Sequence, residues 1–281
     1  MSETDPPTTA LTSVRAARRE RIDQSTLRIT HLRLDVPVPD AALSFAATAV
    51  DDRHCRVARR GAGDSLDYLV PSNGVTGLGI SEERGARECV RALAGVVSKL
   101  HAVRLPPVGV LPSCPPWLVR LGKHLHGDAD GLVARLTSGR LRRHLAAVVR
   151  DARTEAATVI HGAPSLGGAH HARGHTTVMV GEDLAQGRPE LDWGYLLGEI
   201  QELAHLPSDY PVAEFSAALI DEHRSTMREA GLDYDYIQEV AVAKRLLHLV
   251  DYEQTCRMFG ADVPDIETVS ATIADLNDIF K

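Results

Sequence analysis

The order of apolar and polar residues divides the chain into a strand-rich first part and a helix-rich remainder. From Thr26 to about Ser72 apolar and polar residues alternate, as in strands with one buried face. Two of the strand-like runs, 55–58 and 66–70, flank the sequence GAGD at 61–64. Because glycine supports tight turns between paired strands, this pattern predicts a hairpin.

After Ser81 the apolar residues recur at helical spacing. Helices are predicted at 40–50 in the first part and then at 81–101, 132–156, 191–206, 212–230, 234–259 and 266–280. One strand-like run in the second part, 157–160, is expected to pair with 176–180 as a hairpin. The patterns predict a β-rich lobe at 26–80 and an α-helical lobe at 81–281.

Residues 1–25 differ from both lobes. Proline and threonine come first, and the arginine-rich stretch Arg15 to Arg21 follows. Such a composition predicts a flexible lead that ends in a solvated helix start.

Composition and charge limit the partners. The chain has 281 residues, a formal net charge of −7, 44% hydrophobic residues and 25% charged residues. A negative charge of this size makes a nucleic-acid or anionic-membrane surface unexpected. No apolar run reaches the roughly 18 residues that cross a bilayer. The first ten residues lack the order of a signal peptide, and the four cysteines form no CxxC pair. A cytoplasmic location is therefore expected.

Three segments together resemble the aminoglycoside and choline phosphotransferase superfamily. They are LHAVRLPP at 100–107, HGAPSLGGA at 161–169 and GRPELDWGYLLGE at 187–199. The family has LHALPLPP, HGDLHPGNV and GDPALDLGYLLGEL in this order. The resemblance covers about 88–206. It implies an α+β, bilobal, protein-kinase-like fold with a small, reduced β-rich N-terminal lobe and a large α-helical C-terminal lobe.

The sequence departs from this family at the reactive positions. Where the family has its catalytic aspartate, its metal-binding asparagine and its metal-binding aspartate, this chain has Ala163, Gly168 and Val180. None of these side chains can ligate magnesium or accept a proton. No lysine precedes Lys99, so the first lobe has no candidate to pair with nucleotide phosphates.

Residues with a structural role are retained. Asp192 matches the family's buried aspartate, which by resemblance holds the catalytic-loop backbone through hydrogen bonds. Gly162 and Gly167 permit the turn geometry of the loop. The fold is therefore expected to persist without the phosphotransfer groups.

These observations predict a catalytically impaired bacterial pseudokinase. We expect it to bind a protein or peptide partner as an accessory subunit in peptide- or antibiotic-modifying natural-product biosynthesis, with no cofactor. The expected ligand or partner cleft is formed by His161, Ser165, His170, His171, Glu182 and Asp183. The alternative is an ATP- and magnesium-dependent phosphotransferase. It would act on a hydroxyl of a small molecule or a peptide Ser/Thr, with Glu182 and Asp183 as displaced acids.

Two other patterns suggest different chemistry. His170, His171 and His175 form HHxxxH, a spacing that could bind zinc, although 167–174 is predicted to be a flexible loop with solvated histidines. His124 and His126 are predicted in another loop. The run APSLG at 163–167 fits a relaxed nucleophile elbow. No helix is predicted after it, and the chain lacks the repeated strand–helix alternation of hydrolases.

Overall fold

The computed structural model describes residues 8–11, 15–50, 52, 54–126, 131–152, 158–204, 210–261 and 266–279. The strands are β1 Thr8–Leu11, β2 Arg15–Arg21, β3 Thr26–Arg33, β4 Cys55–Val57, β5 Arg59–Arg60, β6 Ser65–Pro71, β7 Val75–Thr76, β8 Thr158–Ile160, β9 Ala169–Ala172, β10 His175–Val180 and β11 Ala185–Gly187. The helices are α1 Asp40–Val50, α2 Glu83–His101, α3 Pro116–His126, α4 Leu132–Leu136, α5 Gly139–Asp151, α6 Glu190–Leu203, α7 Val212–Ala230, α8 Tyr234–Met258 and α9 Ile266–Asp278.

The first lobe is built on an antiparallel sheet of order β1-β2-β3-β6-β5. Ile29 and Tyr68 are opposite each other in the register of β3 and β6, and both are buried in a small core with Met179. Met179 lies on β10, so this face of the sheet packs against the second lobe. The predicted β-rich lobe is therefore present, with its inner face directed at β10.

The helix start predicted for Arg15 to Arg21 is wrong, because these residues form β2. The strand pairs with β3 along its whole length, from Arg15 opposite Arg33 to Arg21 opposite Leu27. Pairing supplies the backbone hydrogen bonds that a helix would otherwise provide. Residues 1–7 and 12–14 of the predicted flexible lead lie outside the described residues.

The two hairpins predicted from the sequence have different partners in the structure. Arg59–Arg60, and not Cys55–Val57, pairs with β6 across the glycine turn. Strand β4 instead pairs in parallel with β10, which also pairs with β9, while β8 pairs with β11. Strand β10 is buried from its second residue onward. A buried central strand needs a neighbour on both sides, which the local pattern does not reveal.

The second lobe is helical, as predicted, with boundaries that differ by a few residues. The helix predicted at 132–156 is two helices, α4 and α5. Ser138 separates them, because its side chain accepts a 3.1 Å hydrogen bond from the Leu141 N–H and begins α5. Residues 153–157 lie outside the described part. His124 and His126 are on α3, so their predicted loop is wrong.

Helices α6 and α8 pack closely in the centre of this lobe. A Cβ atom at Gly198 would lie 2.6 Å from the Ala241 carbonyl oxygen, closer than a real Cβ contact. Glycine therefore allows the two backbones to approach, and the adjacent Trp193 and Val240 side chains are buried. Within the described residues, each helix is too short or too polar to cross a membrane.

Candidate functional site

The loop at 161–168 connects β8 to β9 and is held at its start by Asp192. The two carboxylate oxygens of Asp192 accept 2.8 Å hydrogen bonds from the backbone N–H groups of His161 and Gly162. His101 Nε2 lies 3.0 Å from the same carboxylate, which is fully buried. The hydrogen bonds expected of Asp192 are therefore present in this chain.

A second carboxylate, Glu199, holds the other half of the loop. Its Oε1 accepts a 2.8 Å hydrogen bond from the Ser165 hydroxyl, and its Oε2 accepts a 2.6 Å bond from the Leu166 N–H. The sequence analysis missed Glu199. It lies seven residues after Asp192 on α6, which places both on one helix face, and this spacing is the signal that could have identified it.

Gly162 is required by the geometry of the loop. Its φ is +88°, and an added Cβ would collide with the carbonyl oxygen of Asp183. The Gly162 carbonyl accepts a 2.6 Å hydrogen bond from Trp117 Nε1. Gly167 lies outside the left-handed region, and its N–H donates a 3.0 Å bond to Ser165 Oγ. The loop is thus rigidly built.

The resemblance matches Ala163 to a catalytic aspartate, and Gly168 and Val180 to magnesium ligands. Val180 is fully buried in the main hydrophobic core, and Ala163 packs against the helical core. Gly168 ends the short 3-10 turn Leu166–Gly168. Among the described residues there is no group of three His, Cys, Asp or Glu side chains that could hold a metal ion. Magnesium prefers oxygen ligands, which the side chains of Gly168 and Val180 do not supply.

Glu182 and Asp183 follow β10 and are directed at the first lobe. Glu182 Oε1 lies 2.6 Å from His31 Nδ1 and 3.3 Å from Arg15 Nη1. Arg33 Nη1 donates a 2.5 Å hydrogen bond to Asp183 Oδ1. The two acids that the sequence offered as displaced metal ligands therefore pair with β2 and β3.

The pairing extends further through Arg33. Its Nε and Nη2 donate 2.9 Å hydrogen bonds to the two oxygens of Asp35. Arg120 on α3 donates to Asp35 at 2.7 Å and to Asp251 on α8 at 3.1 Å. We call the connected set the inter-lobe ion network. Its members are Arg15, His31, Arg33, Asp35, Arg120, Glu182, Asp183 and Asp251.

Burial and charge act in opposite directions on the pKa of Glu182. Burial raises it, but the Arg15 guanidinium, the hydrogen bond with His31 and the charge of Arg33 outweigh burial. The pKa of Glu182 therefore lies below its usual value. Burial also raises the pKa of Tyr68, whose hydroxyl donates a 3.4 Å hydrogen bond to Glu182. At neutral pH Glu182 is an anion that already has close positive partners.

The remaining residues of the predicted cleft also have protein partners. His161 Nε2 lies 3.0 Å from the Met179 carbonyl, and His170 Nε2 lies 2.7 Å from the Pro71 carbonyl. His171 Nδ1 lies 2.8 Å from Thr176 Oγ1. Each of these three histidines therefore has an oxygen atom of the protein within hydrogen-bond distance.

The loop predicted at 167–174 is wrong, because Ala169–Ala172 forms β9 and His170 is buried. Adjacent residues of a strand point to opposite faces, so His170 and His171 cannot converge on one metal ion. The nucleophile-elbow pattern is also excluded. The run at 163–167 is followed by a 3-10 turn and an antiparallel hairpin, and no helix under a parallel sheet follows it.

A pocket of about 260 Å³ lies next to the loop, on the side of Glu199 and Tyr195. We call it the loop-side pocket. Glu202 forms ion pairs there with Lys244 and His248. Burial raises the pKa of Glu202, but Lys244 and His248 outweigh it and lower the pKa to about 2. The pocket is therefore lined by paired charges, and the sequence analysis did not identify it.

No protein-family model matches the sequence, and no curated protein does. The fold, however, matches solved structures. The amicoumacin kinase hAmiN, in complex with AMP-PNP, Ca²⁺ and Ami, superposes with a TM-score of 0.64 at 9% identity, covering 97% of this chain and 88% of that one. An apo thermostable mutant of the aminoglycoside phosphotransferase APH(4)-Ia gives 0.60 at 10% identity, covering 98% and 95%.

A glucosamine kinase is also similar, with a TM-score of 0.52 at 16% identity, covering 90% of this chain and 73% of that chain. All three are kinases or phosphotransferases, and the coverage spans both lobes. The architecture expected from the loop and helix motifs is thus confirmed. The chain has the α+β, protein-kinase-like fold of these small-molecule kinases.

Proposed function

We propose that this chain is a kinase-fold protein that does not transfer phosphate and instead acts by binding, as an accessory subunit. The observation that carries the proposal is the inter-lobe ion network. Glu182 and Asp183, which follow Val180 by two and three residues, are paired with Arg15, His31 and Arg33. The chain thus has the kinase fold, while ion pairs occupy the place of the groups that would handle phosphate.

Recruiting these acids to magnesium would be costly. Glu182 or Asp183 would have to leave Arg15 and Arg33, and the Arg33 side chain is only 4% exposed. Removing one partner from a buried ion pair costs about 3 to 5 kcal/mol, because the other charge remains buried and unpaired. This cost opposes the alternative in which displaced acids bind the metal.

Two of the described lysines, Lys99 and Lys244, already have acidic partners. Lys99 is half exposed and forms a 2.8 Å ion pair with Asp52. Lys244 is paired with Glu202 in the helical lobe. In the first lobe, Arg15 and Arg33 also have acidic partners. Pairing with nucleotide phosphates would require one of these ion pairs to break.

The rigid loop and the loop-side pocket support a binding role. Asp192 and Glu199 hold the loop without any reactive side chain at Ala163 or Gly168. Similar structures contain hygromycin B in one case and glucosamine in another. We propose that this chain presents the loop and pocket to a peptide or antibiotic substrate, or to the active enzyme that modifies it.

The test is calorimetric titration with ATP and GTP, each with and without magnesium, combined with phosphotransfer assays using hygromycin B and glucosamine. We expect no saturable binding at millimolar nucleotide and no transfer. The matched variants are Glu182→Gln with Asp183→Asn in the site, and Asp64→Asn in the exposed hairpin turn. Binding that magnesium strengthens, and that only the first pair of changes abolishes, would overturn the proposal in favour of a phosphotransferase.

A further inference from the structure

A second cavity, of about 540 Å³, lies on the side of the α6–α8 pair that faces away from the loop. We call it the far-face pocket. On α6, Glu199 and Glu202 line the loop-side pocket, whereas Ile200 and Ala204 line the far-face pocket. The helical repeat places these two sets on opposite sides of α6. The far-face pocket is therefore separate from the site described above.

Arg245 lines this pocket and is almost unpartnered. Its side chain is 5% exposed, yet its buried Nε and Nη2 atoms have no hydrogen-bond partner. The nearest carboxylate in the described part of the chain is Asp275, whose Oδ2 lies 3.8 Å from Nη2 and whose side chain is 60% exposed. A guanidinium has five N–H donors, so this one is far from satisfied.

Arg33 gives the contrast within the same molecule. It is as buried as Arg245, but it donates three hydrogen bonds to Asp35 and Asp183. Burial lowers the pKa of Arg245, and the charges of Asp275 and Glu202 oppose this only in part. An uncompensated buried charge is destabilising. An anion bound next to Arg245 would remove this penalty.

The other lining residues narrow the chemistry of the ligand. Ile200, Val212 and Val242 give the pocket apolar walls. Its volume lies within the range of roughly 300 to 1,000 Å³ that is usual for small-molecule sites. A planar carboxylate matches the fork of a guanidinium in a bidentate arrangement. The pocket thus suits an amphipathic carboxylate.

Two acids also line the pocket, at the end away from Arg245. Glu239 and Asp235 precede Arg245 on α8 by six and ten residues, which is about 9 and 15 Å along the helix axis. Glu239 forms a 3.0 Å ion pair with His144. These acids disfavour a phosphate dianion and favour a ligand with an ammonium group at this end.

We infer that the far-face pocket binds a short peptide-like zwitterion, with its carboxylate paired to Arg245 and its ammonium group near Glu239. This inference does not depend on whether a nucleotide binds between the two lobes. A dipeptide with apolar side chains has the required size and the two opposite charges.

The test is calorimetric titration of the whole chain with three probes: the Leu-Leu dipeptide, its N-acetyl form and its C-terminal amide. We expect saturable binding of the dipeptide. Loss of the carboxylate in the amide weakens binding by about tenfold or more, because a charge-assisted hydrogen bond is lost. The N-acetyl form binds only a few-fold more weakly, since an ammonium nearer to solvent contributes less.

Variants separate a ligand site from a structural arginine. Arg245→Met is expected to weaken dipeptide binding by about tenfold or more without lowering the melting temperature, because it removes a buried charge that has no hydrogen-bond partner. Arg245→Lys retains the charge without the fork and binds at an intermediate level. Asp275→Asn leaves dipeptide binding at least as tight.

Three results would overturn the inference. The first is failure of the wild-type chain to bind any of the probes at millimolar concentration. The second is equal binding of the dipeptide and its amide, or equal binding by wild type and Arg245→Met. The third is a marked fall in the melting temperature of both Arg245→Met and Asp275→Asn, which would assign Arg245 to a structural ion pair.

Discussion

The loop at 161–168 and the inter-lobe ion network lie next to each other, but they are held by different kinds of interaction. In the loop, two buried carboxylates on α6 hold the backbone through N–H groups, as at Gly162 and Leu166. In the network, acids and bases pair with each other, as in the 2.6 Å contact of His31 with Glu182.

The comparison shows that the backbone of the loop and the charged side chains between the lobes are held in place by separate interactions. The Asp192 and Glu199 carboxylates accept hydrogen bonds from backbone N–H groups and from the Ser165 hydroxyl, so these bonds are independent of the side chain at Ala163 or Gly168. The ion network, in contrast, depends on the charge of each member. The predictions below test this separation.

The largest effect is expected for Asp192→Ala. This change leaves the N–H groups of His161 and Gly162 without their acceptor in a fully buried site. We expect the free energy of unfolding to fall by about 4 kcal/mol, measured by urea denaturation. Asp192→Asn keeps one acceptor and is expected to lose about half as much. A loss below about 1 kcal/mol in the alanine variant would contradict the scaffold role.

A slightly smaller effect is expected for Glu182→Gln. The change leaves Arg15, His31 and Arg33 with less negative charge to balance them. We expect a loss of about 3 kcal/mol of unfolding free energy at neutral pH, measured in the same way. Asp64→Asn, in the exposed turn, is the matched control and is expected to change little. Equal stability of both variants would show that the network is not structurally important.

The stability difference between wild type and Glu182→Gln is expected to depend on pH. The groups that face Glu182 are Arg15, His31, Arg33 and Tyr68, and together they hold its pKa below the usual value. A depressed pKa contributes stability above the unfolded value of about 4.3, and this contribution is lost as pH falls towards the folded value. Denaturation curves should therefore converge as pH decreases below about 4. A gap that widens in acid would contradict this sign.

A moderate effect is expected for Glu199→Ala. The variant loses the acceptor for Ser165 Oγ and for the Leu166 N–H. We expect a loss of about 2 kcal/mol, smaller than for Asp192→Ala because Ser165 is only half buried and water can replace part of the interaction. Hydrogen exchange at Leu166 should accelerate, with exchange at Gly162 less affected. Uniform acceleration across the loop would show that the two carboxylates act as one unit.

The smallest effect is expected for Lys99→Met. The ion pair of Lys99 with Asp52 joins two side chains that are 43% and 40% exposed. Exposed ion pairs contribute less than about 1 kcal/mol, so the melting temperature should hardly change. Nucleotide titrations of this variant should equal those of wild type. A loss of nucleotide binding would give Lys99 a role that its position does not suggest.

The helices were largely predictable because their apolar spacing is local. Residues 234–258 follow a helical repeat, and Asp233 begins the helix by accepting a 3.1 Å hydrogen bond from the Tyr236 N–H. The strand partners were less predictable. The register of β4 with β10 joins Cys55 to Val178, and a strand pattern contains no information about so distant a neighbour.

In the candidate site, too, the identities of side chains could be read from the sequence, whereas their distant partners could not. Ala163, Gly168 and Val180 were recognised from sequence motifs alone, because the identity of a side chain limits its chemistry. The partner of Asp192 could be anticipated from the same motifs. The pairing of Glu182 with His31 spans 151 residues, and no periodicity indicates it.

The sequence by itself therefore determined the helical lobe and the identity of the side chains at Ala163, Gly168 and Val180. Only the tertiary structure decided that Glu182 and Asp183 pair with β2 and β3, and that Arg245 lies buried without a hydrogen-bond partner. The physical reason is the separation along the chain of the residues that determine each feature. Helical spacing and side-chain chemistry are properties of short segments, whereas ion pairing depends on which charges the packing of distant segments brings within a few ångströms.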